Sequence, residues 1–226
     1  MIPKIYAHRG ASSDFPEHTR AAYLAAIDQG ADGFECDVRL TKDGVPVLWH
    51  DSSMERIAGS KELVAAISFQ EMKKVYPAVM QLEELIELAI NHKKELAIET
   101  KHPVPQGKEI ETVVSSLISN VDVKCAIISF SWLALEKVPK DIESVLLLRP
   151  PFISLRSKFT SAKGLGPNIA MLKKRGDFVT SAKSQGKKIY VWTVDSVEDL
   201  EFCALNQVDV IITNKPSLAR KVLGYP

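Results

Sequence analysis

The sequence predicts a (β/α)8 TIM barrel, with a short hairpin and helix inserted after the second strand. Three observations lead there. Eight short β-rich runs alternate with segments of helical periodicity. The 226 residues suffice for a minimal barrel. The competing fold, a doubly wound open sheet, usually opens with a G-x-G-x-x-G turn after its first strand, and the chain has none.

The first run, Lys4–Ala7, ends in His8-Arg9-Gly10, and a helix with a small-residue face (Ala22, Ala25, Ala26, Gln29) follows. The second run is Gly33–Val38. Thr41-Lys42-Asp43-Gly44 then reads as a turn, because Asp-Gly is a strong hairpin signal, and Pro46–His50 returns as an extra strand. A two-residue Asp43-Gly44 loop would set Asp37 directly opposite His50, about 5 Å away. Residues 51–80 form the insertion, read as loop plus one short helix near Phe69–Val75. Leu82, Leu85, Ile86 and Ala89 mark the next helix by their i, i+3, i+4, i+7 spacing. The third to fifth runs are Glu95–Thr100, Cys125–Phe130 and Ser144–Leu148. Across Arg149–Gly166 the cadence weakens, and Pro150-Pro151 and Gly164, Gly166-Pro167 read as loop. Asn168–Met171, Lys188–Val194 and Val208–Thr213 complete the eight, with a helix through Val197, Leu200, Cys203 and Ala204 before the last. The expected organisation is one catalytic domain over residues 1–226.

Charge nearly cancels, 29 Lys and Arg against 28 Asp and Glu, which argues against a nucleic-acid binder. The 46% hydrophobic content is that of a globular protein. The three cysteines, Cys36, Cys125 and Cys203, are far apart and form no C-x-x-C pair, so neither a disulfide framework nor a cysteine zinc site is expected. The first residues lack the apolar stretch of a signal peptide. No run approaches the ~20 apolar residues of a membrane span. A cytoplasmic location is the expectation, with the oligomeric state left open.

In a barrel, chemistry gathers at the C-terminal ends of the strands. Those ends carry His8-Arg9, Glu35 and Asp37, His50-Asp51, Glu99-Thr100-Lys101, Trp192-Thr193 and Thr213-Asn214. Each motif alone is weak: a histidine at a strand end, or a Glu-x-Asp pair, is usually a surface feature. Together they place charged side chains at successive ends of otherwise apolar strands, which ordinary packing does not explain. Glu35, Asp37 and Glu99 are oxygen ligands without a cysteine nearby, the set that suits one hard divalent cation, Mg2+ or Ca2+. With that cation, Arg9 and Lys101 bring the local charge to +1, matched to a singly charged phosphodiester; Arg offers a fork and Lys a point charge to phosphate oxygens. His8 and His50 suit general acid–base work at neutral pH. Trp192 faces the rim and suits covering an alcohol group.

The motifs resemble those of the glycerophosphodiester phosphodiesterase family. The similarity runs from Ala7-His8-Arg9-Gly10 and Pro16-Glu17-His18-Thr19 through Glu35-Cys36-Asp37 and His50-Asp51 to Glu99-Thr100-Lys101, Val191-Trp192-Thr193 and Thr213-Asn214-Lys215-Pro216. The resemblance implies a TIM barrel and one divalent cation held by Glu35, Asp37 and Glu99. It implies His8 and His50 as the acid–base pair and Arg9 and Lys101 on the phosphate. The reaction implied is hydrolysis of glycerophosphodiesters, small-molecule substrates, to glycerol 3-phosphate and an alcohol. His18 stands where the family commonly has Asn, and Ile128 where a Gln is common. Two other readings remain open: a lysophospholipase-D-like enzyme with an apolar groove built from Met54, Ile57, Leu63, Val64 and Ile67, and a phosphate- or metal-binding module without turnover.

Overall fold

The computed structural model describes residues 2–107, 109–149, 157 and 159–225. Its eight barrel strands are β1 (Lys4–His8), β2 (Gly33–Leu40), β4 (Glu95–Thr100), β5 (Cys125–Ser129), β6 (Glu143–Leu148), β7 (Gly164–Pro167), β8 (Lys188–Val191) and β9 (Val210–Thr213). All pair in parallel, and β1 closes the barrel by pairing with both β2 and β9. The chain is therefore a closed (β/α)8 TIM barrel. No helix among the described residues is long and apolar enough to cross a membrane.

Alternation along the strands separates the side chains into two layers. Ile5, Phe34, Cys36, Ile98 and Ile211 point outward and pack under the helices. Tyr6, Ala97, Ile128, Val145, Leu147, Tyr190 and Ile212 point inward and fill the lumen. Below them, at the N-terminal ends of the strands, Tyr6 donates to Glu95 and Tyr190 to Glu143, so the lumen floor is polar and closed. Above them, on the same inward face, stand Glu35, Asp37 and Glu99.

Local signals set the helix starts. Thr19 caps α1 (Arg20–Asp28) by accepting from the Ala22 N–H. A reciprocal Ser68–Glu71 capping box opens α3 (Phe69–Val75), the helix expected in the insertion. The insertion also holds α2 (Glu55–Ala58) and a 3-10 turn at Val64–Ala66. It has its own apolar core of Trp49, Met54, Val64, Ile67, Phe69 and Met72.

Several sequence expectations are corrected. The hairpin strand β3 (Pro46–Leu48) pairs Val38 with Leu48 and Arg39 with Val47, so Asp37 stands opposite Trp49 and not His50. The loop has three residues, Lys42-Asp43-Gly44, with Gly44 at φ +78°. Asp43 does not serve as a turn residue of a two-residue loop; it accepts from the Thr41 hydroxyl and the Phe69 N–H. The sixth barrel strand is Gly164–Pro167, not Asn168–Met171. Asn168 caps the helix Ile169–Lys173 by accepting from Ala170 N–H. Both glycines of that strand sit in tight surroundings: a Cβ on Gly166 would meet Leu147 Cδ2 at 2.6 Å, and one on Gly164 would stand 3.0 Å from Val145 Cγ2, so a neighbouring side chain would have to shift. The strands read as Lys188–Val194 and Cys125–Phe130 end earlier, at Val191 and Ser129. The Pro150-Pro151 loop expectation lies outside the described residues.

Gly33 shows how tightly the lumen floor is built. A Cβ there would stand 2.7 Å from the Glu95 carbonyl oxygen and 2.8 Å from the Tyr6 ring. Gly33→Ala is expected to destabilise the fold by about 1–3 kcal/mol, the usual range for overpacking. Urea unfolding checks this through a lower midpoint at unchanged slope; an unchanged midpoint would show that β1, β2 and β4 can separate at no cost.

Candidate active site

The rim begins with a turn. Arg9 and Gly10 both take positive φ, 59° and 85°. Gly10 packs so closely on α1 that a Cβ would meet Ala22 at 2.6 Å. The Arg9 N–H donates to the Glu35 carbonyl, and the His18 N–H donates to the Arg9 carbonyl. This folding sends Arg9 back over β2.

Beneath the rim lies a buried charge cluster. One oxygen each from Glu35, Asp37 and Glu99 falls within 4.8 Å of the others. Asp37 is completely buried. Its Oδ1 accepts from Lys101 at 2.8 Å, and its Oδ2 accepts from His18 at 3.0 Å. Arg9 Nε also stands 2.8 Å from Oδ2, an ion pair by distance although its N–H is not aligned for a hydrogen bond. Lys101 donates to Glu99 at 2.7 Å as well. His18 bridges onward to the Tyr23 hydroxyl at 3.0 Å.

These contacts set the protonation preferences. Burial pushes Asp37 up, but the His18 hydrogen bond and the charges of Lys101 and Arg9 outweigh it and hold the carboxyl well below its usual range. Burial, with Asp37 beside it, drives Glu35 well above the ordinary glutamate value. The same two causes push Glu99 up to about 7. Burial would lower Lys101, yet Asp37 and Glu99 hold it charged. Two carboxyls that cannot easily ionise beside a third that must are a donor set that a divalent cation would satisfy; the residues fit Mg2+ or Ca2+.

The two histidines flank the cluster. His8 Nδ1 lies 2.7 Å from Asn214 Oδ1. The Asn214 amide is oriented by donating to Asp195, so its oxygen faces His8 and fixes the proton on Nδ1. His8 Nε2 is then the free nitrogen, 3.8 Å from Glu35. Burial first, then Arg9, lowers His8 to about 4. His50 is arranged alike: its Nδ1 donates to Asp51 Oδ1 at 2.7 Å, leaving Nε2 free.

His8, Arg9, Glu35, His50, Glu99, Lys101 and Trp192 line one cavity of about 120 Å³, with Asp37 directly below. The structure thus gathers the eight candidate site residues around one cavity, while the strand-end residues Asp51, Thr100, Thr213 and Asn214 do not line it. The remaining wall is apolar: Ile128, Phe130, Leu147 and Ile212. Trp192 stands edge-on to Phe130, ring centroids 5.4 Å apart, and its indole N–H donates to the Gly166 carbonyl. Arg9 and Lys101, expected on phosphate, are also the counter-charges of Asp37. Sequence reading placed Asp51 and Asn214 at strand ends without giving them the support of the histidines as a role, and it missed Asp195 and the part His18 plays under Asp37. The adjacency of Asp51 to His50, and of Asn214 to a strand end, were the available signals.

The sequence matches the family profile "Glycerophosphoryl diester phosphodiesterase family" over residues 8–218. A probable glycerophosphodiester phosphodiesterase 1 of Mycobacterium tuberculosis is 32% identical, over 95% of this chain and 90% of that protein. A glycerophosphodiester phosphodiesterase of Caldanaerobacter subterraneus is 31% identical over 96% of both. Among solved structures, a glycerophosphodiester phosphodiesterase of Thermotoga maritima superposes with a TM-score of 0.87 at 25% identity, covering 97% of this chain and 98% of that one. An Oleispira antarctica phosphodiesterase, solved with the product sn-glycerol-3-phosphate, superposes with a TM-score of 0.88 at 21% identity, covering 99% of this chain and 97% of that one.

The raised Glu99 has a consequence for stability. A carboxyl that binds its proton more tightly in the folded chain favours folding at low pH, and that contribution is lost as pH rises from 4.5 through about 7. His8 and His18, lowered by burial, run the other way, so a variant comparison isolates the effect. In EDTA, Glu99→Gln is expected to gain stability relative to the parent between pH 5 and pH 7.5. Urea midpoints at the two pH values check it; a difference independent of pH would show that Glu99 titrates normally.

Proposed function

The chain belongs to the glycerophosphoryl diester phosphodiesterase family, and on that premise we propose that it hydrolyses glycerophosphodiesters to glycerol 3-phosphate and an alcohol, using one divalent cation and the histidine pair His8 and His50. The observation that carries this reading is the convergence on one cavity of the buried acid trio, two imidazoles with free Nε2 atoms, and two cations. Glu35, Asp37 and Glu99 would hold Mg2+ or Ca2+, which when bound supplies Lewis-acid polarisation of a phosphoryl oxygen.

The chain's own groups account for the remaining steps. Arg9 Nη1 is committed to Glu17 and Nε to Asp37, so Nη2 remains for a phosphoryl oxygen. Lys101, held charged at the cavity wall, screens the charge that grows on phosphorus oxygens in the transition state. One imidazole takes the proton of the attacking hydroxyl as its oxygen bonds to phosphorus. The other enters the cycle as imidazolium, with a second proton on Nε2, and gives that proton to the departing alkoxide as the P–O bond breaks; the proton taken up by the first passes to solvent, which reprotonates the second. Asn214 and Asp51 keep both Nε2 atoms available for this exchange. The attacking hydroxyl is either water or the neighbouring glycerol hydroxyl; the second route passes through a cyclic phosphate, which 31P NMR of the reacting mixture would detect. Trp192 and Phe130 offer flat apolar surface to the carbon face of glycerol.

The lysophospholipid reading loses its groove. Met54, Val64 and Ile67 are buried in the core of the insertion, and only Leu63 of the proposed lining is largely exposed.

Release of glycerol 3-phosphate from glycerophosphocholine, glycerophosphoethanolamine and glycerophosphoglycerol is expected with Mg2+ or Ca2+ and lost in EDTA. No release under any metal from folded protein would sink the proposal. His8→Ala and His50→Ala are each expected to lower kcat by about 10²–10⁴-fold, the span of general acid–base contributions. A His50→Ala variant that turns over at the parent rate would remove His50 from the mechanism.

A further inference from the structure

We propose that Arg56 is a positioning residue for this hydrolysis: one guanidinium, outside the cavity, that fixes His50 on one side and Arg9 on the other. The inference rests on the phosphodiesterase reading for its kinetic consequence, but its structural content is independent of that reading.

Arg56 lies on the four-residue helix α2 in the insertion and does not line the cavity. It holds two carboxylates from distant parts of the chain. Its Nε donates to Asp51 Oδ2 at 2.5 Å. Its Nη1 and Nη2 form a fork onto Glu17, at 3.0 and 2.7 Å. The other oxygen of Asp51 is the acceptor of His50 Nδ1–H. Glu17 Oε1 also accepts from Arg9 Nη1 at 3.2 Å. A continuous chain therefore runs from His50 through Asp51, Arg56 and Glu17 to Arg9, and from Arg9 to Asp37.

The chemistry asks for arginine. Only a planar guanidinium presents parallel N–H groups to one carboxylate and a further N–H to a second in a fixed plane. Arg56 is 49% exposed, and exposed ion pairs add little stability. Orientation is a different matter. Without Arg56, Asp51 and Glu17 lose their shared counter-charge. Asp51 can then turn away, and His50 loses the acceptor that keeps its proton on Nδ1. Glu17, freed from the fork, no longer aligns the Arg9 guanidinium.

The insertion is built to place this side chain. Met54, fully buried, anchors the start of α2 in the insertion core beside Trp49. The Trp49 indole N–H donates to the Ser53 carbonyl, and Gly59 ends the helix in a left-handed turn at φ 68°. Trp49 precedes His50 in sequence, so one apolar cluster locates both the histidine and the arginine that steadies it.

The test uses Arg56→Gln and Arg56→Lys in the full chain. Both are expected to lower kcat/KM for a glycerophosphodiester by about 10- to 100-fold, the range for groups that orient a functional side chain, while the thermal midpoint moves by only a few degrees. Millimolar methylguanidinium is expected to restore part of the rate in Arg56→Gln, and methylammonium is not. The 15N shifts of the His50 imidazole, identified by their loss in His50→Gln, are expected to move from a single Nδ1–H tautomer toward a mixture. Parent-level kcat/KM in Arg56→Gln overturns the proposal. So does a rate loss with no guanidinium rescue and an unchanged His50 tautomer, which would make Arg56 a stability residue only. If the parent chain releases no glycerol 3-phosphate, the function reading fails while the tautomer measurement still decides whether the clamp exists.

Discussion

Asp37 is the group on which the rest of the site depends. It is completely buried, yet it stays ionised because three cationic or donating groups close on its two oxygens: Lys101, Arg9 and His18. A buried carboxylate without such partners would neutralise itself. Once Asp37 is fixed as an anion, its neighbours follow. Lys101 and Arg9 are held charged and aimed at the cavity floor, while Glu35 and Glu99 are pushed up and left short of positive charge. The cluster is thus stable enough to fold but incomplete electrostatically, which is the condition of a site made to bind something positive and then something negative.

The barrel makes this arrangement possible by layering its lumen. Along β4, the inward residues read Glu95, Ala97, Glu99: a polar floor, an apolar middle and an acidic rim. Along β1 and β2, Tyr6 and Gly33 meet at the floor while His8 and Glu35 stand paired at the rim. The apolar middle layer of Ala97, Ile128 and Val145 separates the rim charges from the polar groups below, Lys4 and Tyr6 on Glu95 and Lys188 and Tyr190 on Glu143. Desolvation of the rim, which raises Glu35 and Glu99 and lowers His8, follows from that layer, while Asp37 and Lys101 are shifted against it by their charged partners.

What was legible in the sequence was the part encoded within single strands. Glu35, Asp37, Glu99 and Lys101 interrupt apolar runs, and a charge inside an apolar strand has few places to go. Register was not legible in the same way. The Asp43-Gly44 pair signalled the hairpin correctly but not its loop length, because Asp43 is diverted to cap contacts with Thr41 and Phe69. The glycines of β7 were read as breakers, whereas they are strand residues against which the Leu147 and Val145 side chains pack closely. The links between Glu17, Asp51 and Arg56 were beyond reach, since they depend on how the core of the insertion packs, and the positions lie up to 39 residues apart.

The site also divides by strand. Among the described residues, every charged group that lines or underlies the cavity comes from the first part of the chain: His8 at the end of β1 with Arg9 after it, Glu35 and Asp37 on β2, His50 after β3, and Glu99 and Lys101 at β4. The apolar wall comes from the rest: Ile128 and Phe130 at β5, Leu147 on β6, Trp192 after β8 and Ile212 on β9. The ionic network through Asp37 couples Arg9, Lys101 and Glu99 tightly to one another, because moving Arg9 or Lys101 leaves a buried charge short of a partner. The wall residues share no such network; they are joined by packing, in which volume-conserving changes are tolerated. Substitution in the wall therefore reshapes the space beside the reacting phosphorus without unsettling the groups that hold it. The departure at Ile128 lies in this tolerant half. The departure at His18 lies in the intolerant half, and it is accommodated because its imidazole gains two hydrogen-bond contacts at once, to Asp37 and to Tyr23.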